Sequence, residues 1–206
     1  MKPFRLLPHG VLMATAVGAF VAGFAVETAH AQPTGGICSN IAAGLPVFHS
    51  RIENYAALHR RLAGLVPPME TRPDVQSLRI NRKALAVALR SARINAHTGD
   101  IFGGPVEETF RCLIAKAEQR SEGWLSGLPE EFVFPPGMGP FVNESYPPVL
   151  LGDVPYFLQL VLPPIPEEVE YVVMDNNLVI WDTYAEVVVD VLPNAFGDGY
   201  AVDESR

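Results

Sequence analysis

The chain has 206 residues, 49% of them apolar, with a net charge of −8 and two cysteines. That composition excludes a chain disordered throughout, and two cysteines are too few for a disulfide-dense mini-protein or a four-cysteine zinc site. The length suits one domain, or one with a small appendage. The charge is uneven: residues 51–120 hold 12 Lys+Arg against 7 Asp+Glu, whereas residues 121–206 hold 15 acids and the single base Arg206.

The first 31 residues read as a secretory signal peptide. Lys2 and Arg5 give a positive start, Val11 to Val26 is uncharged, and Ala29-His30-Ala31 places small residues where signal peptidase reads them, with cleavage between Ala31 and Gln32. The uncharged stretch is shorter than the roughly 20 residues that span a bilayer. The expected location is the periplasm or the extracellular space. The remaining chain has a net charge of −9 and no later run of apolar residues of membrane-spanning length, so no transmembrane segment is expected after the leader. In an oxidising compartment Cys38 and Cys112 are candidates for a disulfide. It would join positions 74 apart, which the chain-entropy model values at about 4 kcal/mol.

Residues 32–45 are small and polar and predict a flexible arm. Phe48, Ile52, Tyr55, His59, Leu62 and Val66 recur at spacings of four and three, one face of a helix over 47–65. Ser50 to Glu53 fits a capping box that would move its start to residue 51, and Pro67-Pro68 stops it. A second helix is predicted over 74–96, opened by Pro73-Asp74. Leu78, Leu85 and Leu89 share its face, Ile80, Ala84, Val87, Ala88 and Ala92 carry the apolar surface around the back, and Arg79, Arg82, Lys83, Arg90 and Arg93 fall in an arc of about 100°. This pattern predicts a central helix, buried on most sides, with one cationic stripe. A third helix is predicted over 105–120: Pro105 suits the first position, Glu107 and Glu108 suit the positive dipole end, and Val106, Phe110, Leu113, Ile114 and Ala117 form the apolar face, with Cys112 off it.

Ten prolines fall within residues 124–166, which predicts an extended strap that packs its aromatics against the helices, with one short helix near 153–161 capped by Asp153. Strands are predicted at 170–174, 178–182 and 186–192, joined by a tight turn at Asp175-Asn176-Asn177 and a second turn at Thr183-Tyr184-Ala185. Alternation in the last strand sends Val187, Val189 and Val191 to the core and Asp190 to the opposite face. Residues 197–206 read as a disordered acidic tail. The expected architecture is α+β: an N-terminal three-helix part, a proline-rich strap and a C-terminal three-stranded antiparallel meander, forming a single domain over 46–196.

Leu162-Pro163-Pro164-Ile165-Pro166-Glu167, Glu170-Tyr171, Leu178-Val179-Ile180-Trp181-Asp182, Ala185 and Val188-Val189-Asp190 resemble the C-terminal end of a group of small exported bacterial proteins with an LPPxP segment before a β-hairpin. Gly99-Asp100-Ile101-Phe102 followed by a helix is also similar to that group, and the resemblance covers about residues 90–196. The chain departs from the pattern at Met174-Asp175-Asn176, where a glycine-containing turn is more usual, and at Trp181, where a basic residue is common. The resemblance implies export and a helix-plus-hairpin layout and carries no catalytic residues.

The candidate chemistry lies in the hairpin carboxylates Asp182, Glu186 and Asp190. Two close carboxylates can split their pKa values into an acid and a base, and several oxygens can bind Ca²⁺. The plainer expectation is a solvated outer face. His59, inside an apolar stripe, reads as a satisfied buried histidine rather than a metal ligand. His49 and His97 belong to no H-E-x-x-H pattern, and nucleophile elbows, P-loops, dinucleotide fingerprints and C-x-x-C pairs are absent. No cofactor or metal is implied. Nucleic acid is not an expected partner of an exported chain of this charge, and the cationic stripe is expected to face the acidic half of the same chain. The leading expectation is an exported interaction or envelope-associated protein, partnered by another envelope protein. The alternative is a carboxylate-dependent hydrolase or Ca²⁺-binding module.

Overall fold

In a computed structural model, residues 41–66, 74–120 and 139–196 are described. The leader with its cleavage site at Ala31 and Gln32, most of the arm, Cys38 and the acidic tail lie outside them. All described residues belong to one unit, Gly35–Arg206.

Helix α1 spans Ile41–Ala63 and buries Phe48, Ile52, Tyr55, Ala56 and His59, the face the spacing predicts. It begins six residues earlier than expected and carries Pro46 inside it, so residues 41–45 are helix rather than arm, and the Ser50 to Glu53 capping box lies unused in mid-helix. A proline there removes one backbone hydrogen bond. Packing compensates: Gly44 lies so close to helix α3 (Pro105–Arg120) that a Cβ on it would meet Thr109 Oγ1 at 2.0 Å and the Pro105 carbonyl at 2.5 Å. Only a glycine allows this approach, and the close contact holds the early turns in place.

Helix α2 spans Val75–Ala92, with Asp74 as N-cap accepting from the Ser77 amide at 2.7 Å. Its buried residues are Asn81, Leu85, Ala86 and Leu89. The expectation of a central helix is overturned, because Ile80 and Val87 on its back are exposed. α2 lies on the flank and buries one narrow face. Helix α3 has the predicted bounds and buries Val106, Phe110, Ile114 and Ala117. Cys112 is fully buried as well, though it is not part of the core cluster that Val106, Phe110, Ile114 and Ala117 join.

The prolines leave the short helix expected near 153–161, and two further elements before it. A 3-10 turn at Pro148–Leu150 precedes strand β1 (Gly152–Asp153) and a one-turn helix α4 (Tyr156–Gln159). Asp153 therefore belongs to a strand and caps nothing; Pro155 opens α4 without a side-chain cap. Strands β2 (Val169–Met174), β3 (Asn177–Asp182) and β4 (Val187–Leu192) follow. The described sheet is antiparallel with order β1-β2-β3-β4, so the meander has four strands rather than three. The β2–β3 turn is Asp175–Asn176, with Asp175 at φ 57°, and Glu186 at φ 54° belongs to the β3–β4 turn rather than to a strand.

Both faces of this sheet are covered. On one side Leu178, Ile180, Val187, Val189 and Leu192 join the helix core with Phe48, Phe102 and Phe110. On the other, Val142, Tyr146, Leu150 and Leu151 of the strap cover Val172, Met174, Val179, Trp181, Val188 and Val191. This part of the strap packs on the sheet rather than on the helices. It also closes the outer edge of β4: the Asn143 amide donates to the Val188 carbonyl, the Val188 amide to the Glu144 carbonyl, and Ser145 bridges Val187. Every residue of β3 and β4 is buried as a result, which explains the run Val187-Val188-Val189. Two-sided burial replaces alternation with a continuous apolar run.

Candidate functional site

Strand alternation alone would place Asp190 opposite Val189. It does not, because the β3–β4 register breaks between Ile180 and Trp181: Ile180 pairs with Asp190 but Trp181 pairs with Val188, leaving Val189 as the extra residue of a bulge. A bulge re-aims the side chains beyond it. Asp190 turns to the helix side and is fully buried, which corrects the expectation of a solvated outer face. Its Oδ1 accepts from the Gly99 amide at 2.8 Å, and its Oδ2 from the Ile101 and Phe102 amides at 2.7 Å each.

The loop that supplies those amides is shaped by its glycines. Gly99 adopts φ 91°, and Gly103 comes so near that a Cβ on it would meet the Gly99 carbonyl at 2.4 Å. On the loop's other side Arg51 Nη1 donates to the carbonyls of Ile101 and Gly103 at 2.9 and 2.8 Å. Asp190 therefore holds the loop's donors and Arg51 its acceptors, and Phe102 is driven into the aromatic cluster, 5.0 Å from Phe110 between ring centroids. Burial pushes the Asp190 carboxyl above the usual Asp value, and the amides of Phe102, Gly99, Val191 and Ile101 pull it back in part.

Asp182, at the end of β3, is also fully buried, so the expectation of a solvated face fails for it too. Its Oδ1 accepts from the amides of Tyr184 and Ala185 at 3.1 and 2.6 Å, an Asx-type turn that starts the β3–β4 connection. Its Oδ2 accepts from the Tyr55 hydroxyl at 2.6 Å and sits 2.6 Å from His59 Nδ1. An ionised carboxylate only accepts, so the imidazole proton belongs on Nδ1. Tyr55 and His59 are one helical turn apart on α1, and both reach the same oxygen. Burial, then the charge and hydrogen bond of Asp182, raise the Tyr55 hydroxyl well above its ordinary value, with Arg93 acting in the opposite sense.

Arg93, just past α2, is within electrostatic reach of both carboxylates. Its guanidinium carbon stands 5.1 Å from the Tyr55 ring centroid, and its Nη2 donates to the carbonyl of the bulge residue Val189 at 2.8 Å. Asn143 donates its side-chain amide to the Arg93 carbonyl, tying the strap to the same point. The third candidate, Glu186, is separate from this centre and pairs with Arg82 of α2, whose guanidinium lies over the Tyr184 ring. The cationic stripe forms an ion pair with the acidic half at Arg82 alone among the described residues; Arg93 pairs with Asp100 of its own half, and Arg79, Lys83 and Arg90 form no ion pair among the described residues.

An Asp–His pair with its proton on Nδ1 is an arrangement that can orient an imidazole for base work. Here His59 is only 6% exposed. A depression lined by Ala92, Arg93, Ile94, Asn95, Ala96 and Asp100 includes neither His59 nor Asp182. The hydrolase and Ca²⁺ alternatives need carboxylate oxygens open to water or substrate, and Asp182 and Asp190 offer none. No group of three or more His, Cys, Asp or Glu among the described residues is placed to hold a metal ion. Cys112 is disulfide-bonded, and the chain's other cysteine, Cys38, lies outside the described residues. His49 is exposed, and His97 pairs with Asp100 at the surface. Among the described residues no helix is long and apolar enough to cross a membrane.

Sequence reasoning missed Tyr55 as a partner of Asp182, and Arg51 and Arg93 as donors to the carbonyls of the Asp190-bound loop and of the bulge. One signal for them was available. An aspartate inside Val187-Val188-Val189-Asp190-Val191-Leu192 and a histidine inside an apolar stripe both require buried partners. Comparison with protein-family models, with curated proteins and with solved structures yields no match.

Proposed function

We propose that this chain is an exported, envelope-associated interaction protein whose acidic hairpin residues serve the fold rather than catalysis. The observation that carries this reading is the saturation of Asp182 and Asp190: both are fully buried, and every oxygen of both is engaged by a donor of the same chain. A carboxylate acting as acid, base or Ca²⁺ ligand keeps an oxygen for its partner, and the remaining role, orienting a catalytic imidazole, needs an accessible ring, whereas His59 is buried. Export rests on the leader pattern of Lys2, Arg5 and Ala29-His30-Ala31 and agrees with the resemblance to small exported proteins.

The test is residue-specific photocrosslinking in intact cells, with the exported form identified by a new N-terminus at Gln32. A discrete envelope protein cross-linked to the processed chain supports the reading. Saturable turnover of an envelope substrate by the purified protein, abolished in a folded Asp182→Asn variant, contradicts it.

A further inference from the structure

The outer face of α2 is made of residues that neither the core nor the network around Arg93 uses. At about 100° per residue, Ile80, Ala84, Val87 and Ser91 fall within about 60° of one another, opposite the buried Leu85 and Leu89. Their spacings of four, three and four are those of a two-helix seam, with aliphatic knobs at Ile80 and Val87 and small residues between them. Ile80 and Val87 are 56% and 51% exposed. Beyond the helix end Ile94, 80% exposed, continues the apolar surface into the depression that it lines with Ala92 and Asn95. Arg79, Lys83 and Arg90 run along one border of this face, within about 40°. Arg90 donates Nε to the Ala86 carbonyl of its own helix, and none of the three has an ion-pair partner among the described residues.

From this charge pattern we infer that the outer face of α2 docks an amphipathic helix of a partner protein, with acidic residues along the flank that meets Arg79, Lys83 and Arg90. A second copy of the chain fits poorly. Val75–Ala92 contains no acidic residue, so two such faces would oppose cation to cation. A bilayer fits less well than a helix, because the cations line one border only and the face has no aromatic anchor. The inference rests on the interaction reading above and gives it a surface and a partner chemistry.

The test titrates the purified processed protein with two synthetic three-heptad helical peptides. Both carry leucine at the seam positions; one has glutamate and the other lysine along the flanks. The wild type binds the glutamate peptide at least about tenfold more tightly. Lys83→Glu combined with Arg90→Glu reverses that order, and Val87→Asp weakens both peptides, with all three proteins melting at the same temperature. Equal binding of the two peptides, or binding of neither, overturns the inference. So does sedimentation with anionic phosphatidylglycerol vesicles, or self-association, that depends on Val87 in place of peptide binding. Photocrosslinking that persists in Val87→Asp would reject this surface and leave the interaction reading standing, whereas Asp182-dependent turnover would remove the reading itself.

Discussion

His59 Nδ1 lies 2.6 Å from Asp182 Oδ2, joining the buried face of α1 to the last residue of β3. The same oxygen takes the Tyr55 hydroxyl, so one carboxylate ties the longest helix to the β3–β4 turn. The partners on Oδ2 differ in kind from those on Oδ1. Amides can only donate, but a hydroxyl can rotate and an imidazole can change tautomer. Asp182→Asn is therefore expected to fold: its oxygen serves the Tyr184 and Ala185 amides, and its Nδ2 donates to His59 Nδ1 once the ring proton moves to Nε2. The expected cost is about 1–2 kcal/mol. Nitrogen NMR of the His59 ring checks it, with Nδ1–H in the wild type and Nε2–H in the variant.

Alkali should weaken the fold through its buried tyrosines. Burial raises Tyr171 above its ordinary value, as burial and Asp182 raise Tyr55. The unfolded chain releases these protons near pH ~10 while the folded chain keeps them. Their contribution is complete below that pH and declines above it by about 1.4 kcal/mol per pH unit for each tyrosine. Tyr55→Phe should remove one proton's share of that slope, read by urea unfolding across the alkaline range. An unchanged slope would show that Tyr55 titrates freely.

Acid acts on Asp190 in the opposite sense. Its folded value is raised, so the folded state takes up the proton more readily than the unfolded chain does. Stability from this group is present at low pH and falls as pH rises through the interval between the unfolded and folded values. Both oxygens are filled by amides, so the incoming proton must displace one. Exchange protection at Gly99, Ile101 and Phe102 is expected to drop on acidification, beginning above the ordinary Asp value of about 3.9, with no loss of global stability from this residue. Full protection of all three amides below that pH would contradict the assignment.

Gly44→Ala sets helix propensity against packing. Alanine gains roughly 1 kcal/mol over glycine in a helix. The new methyl would overlap Thr109 Oγ1 at 2.0 Å and the Pro105 carbonyl at 2.5 Å, and the backbone carbonyl cannot move aside. Overpacking of this kind costs about 1–3 kcal/mol. A net fall in melting temperature is expected, and Thr109→Ser should not relieve it, since the carbonyl contact remains.

The elements that periodicity could reveal were readable: the buried face of α1 from Phe48 to His59, the whole of α3, and the hairpin strands. What failed has physical causes. Residues 41–45 looked like arm because their helical turns are secured by Gly44 against α3, a contact far away in sequence. α2 looked central because Ile80 and Val87 resemble core residues when nothing says which face is covered. Asp190 looked exposed because the Val189 bulge, which no local pattern announces, changes its side of the sheet. Strand β1 went unseen because two residues carry no periodicity.

Asp182 is the structural hub of the fold, and the unfolding free energy of Asp182→Ala at neutral pH tests that role. Removing the carboxylate leaves the Tyr55 hydroxyl, the His59 Nδ1 proton and the Tyr184 and Ala185 amides without their acceptor in the core. The predicted loss is about 3–5 kcal/mol. A loss within about 0.5 kcal/mol, the range of ordinary surface substitutions, would contradict the account and return Asp182 to the candidates for chemistry.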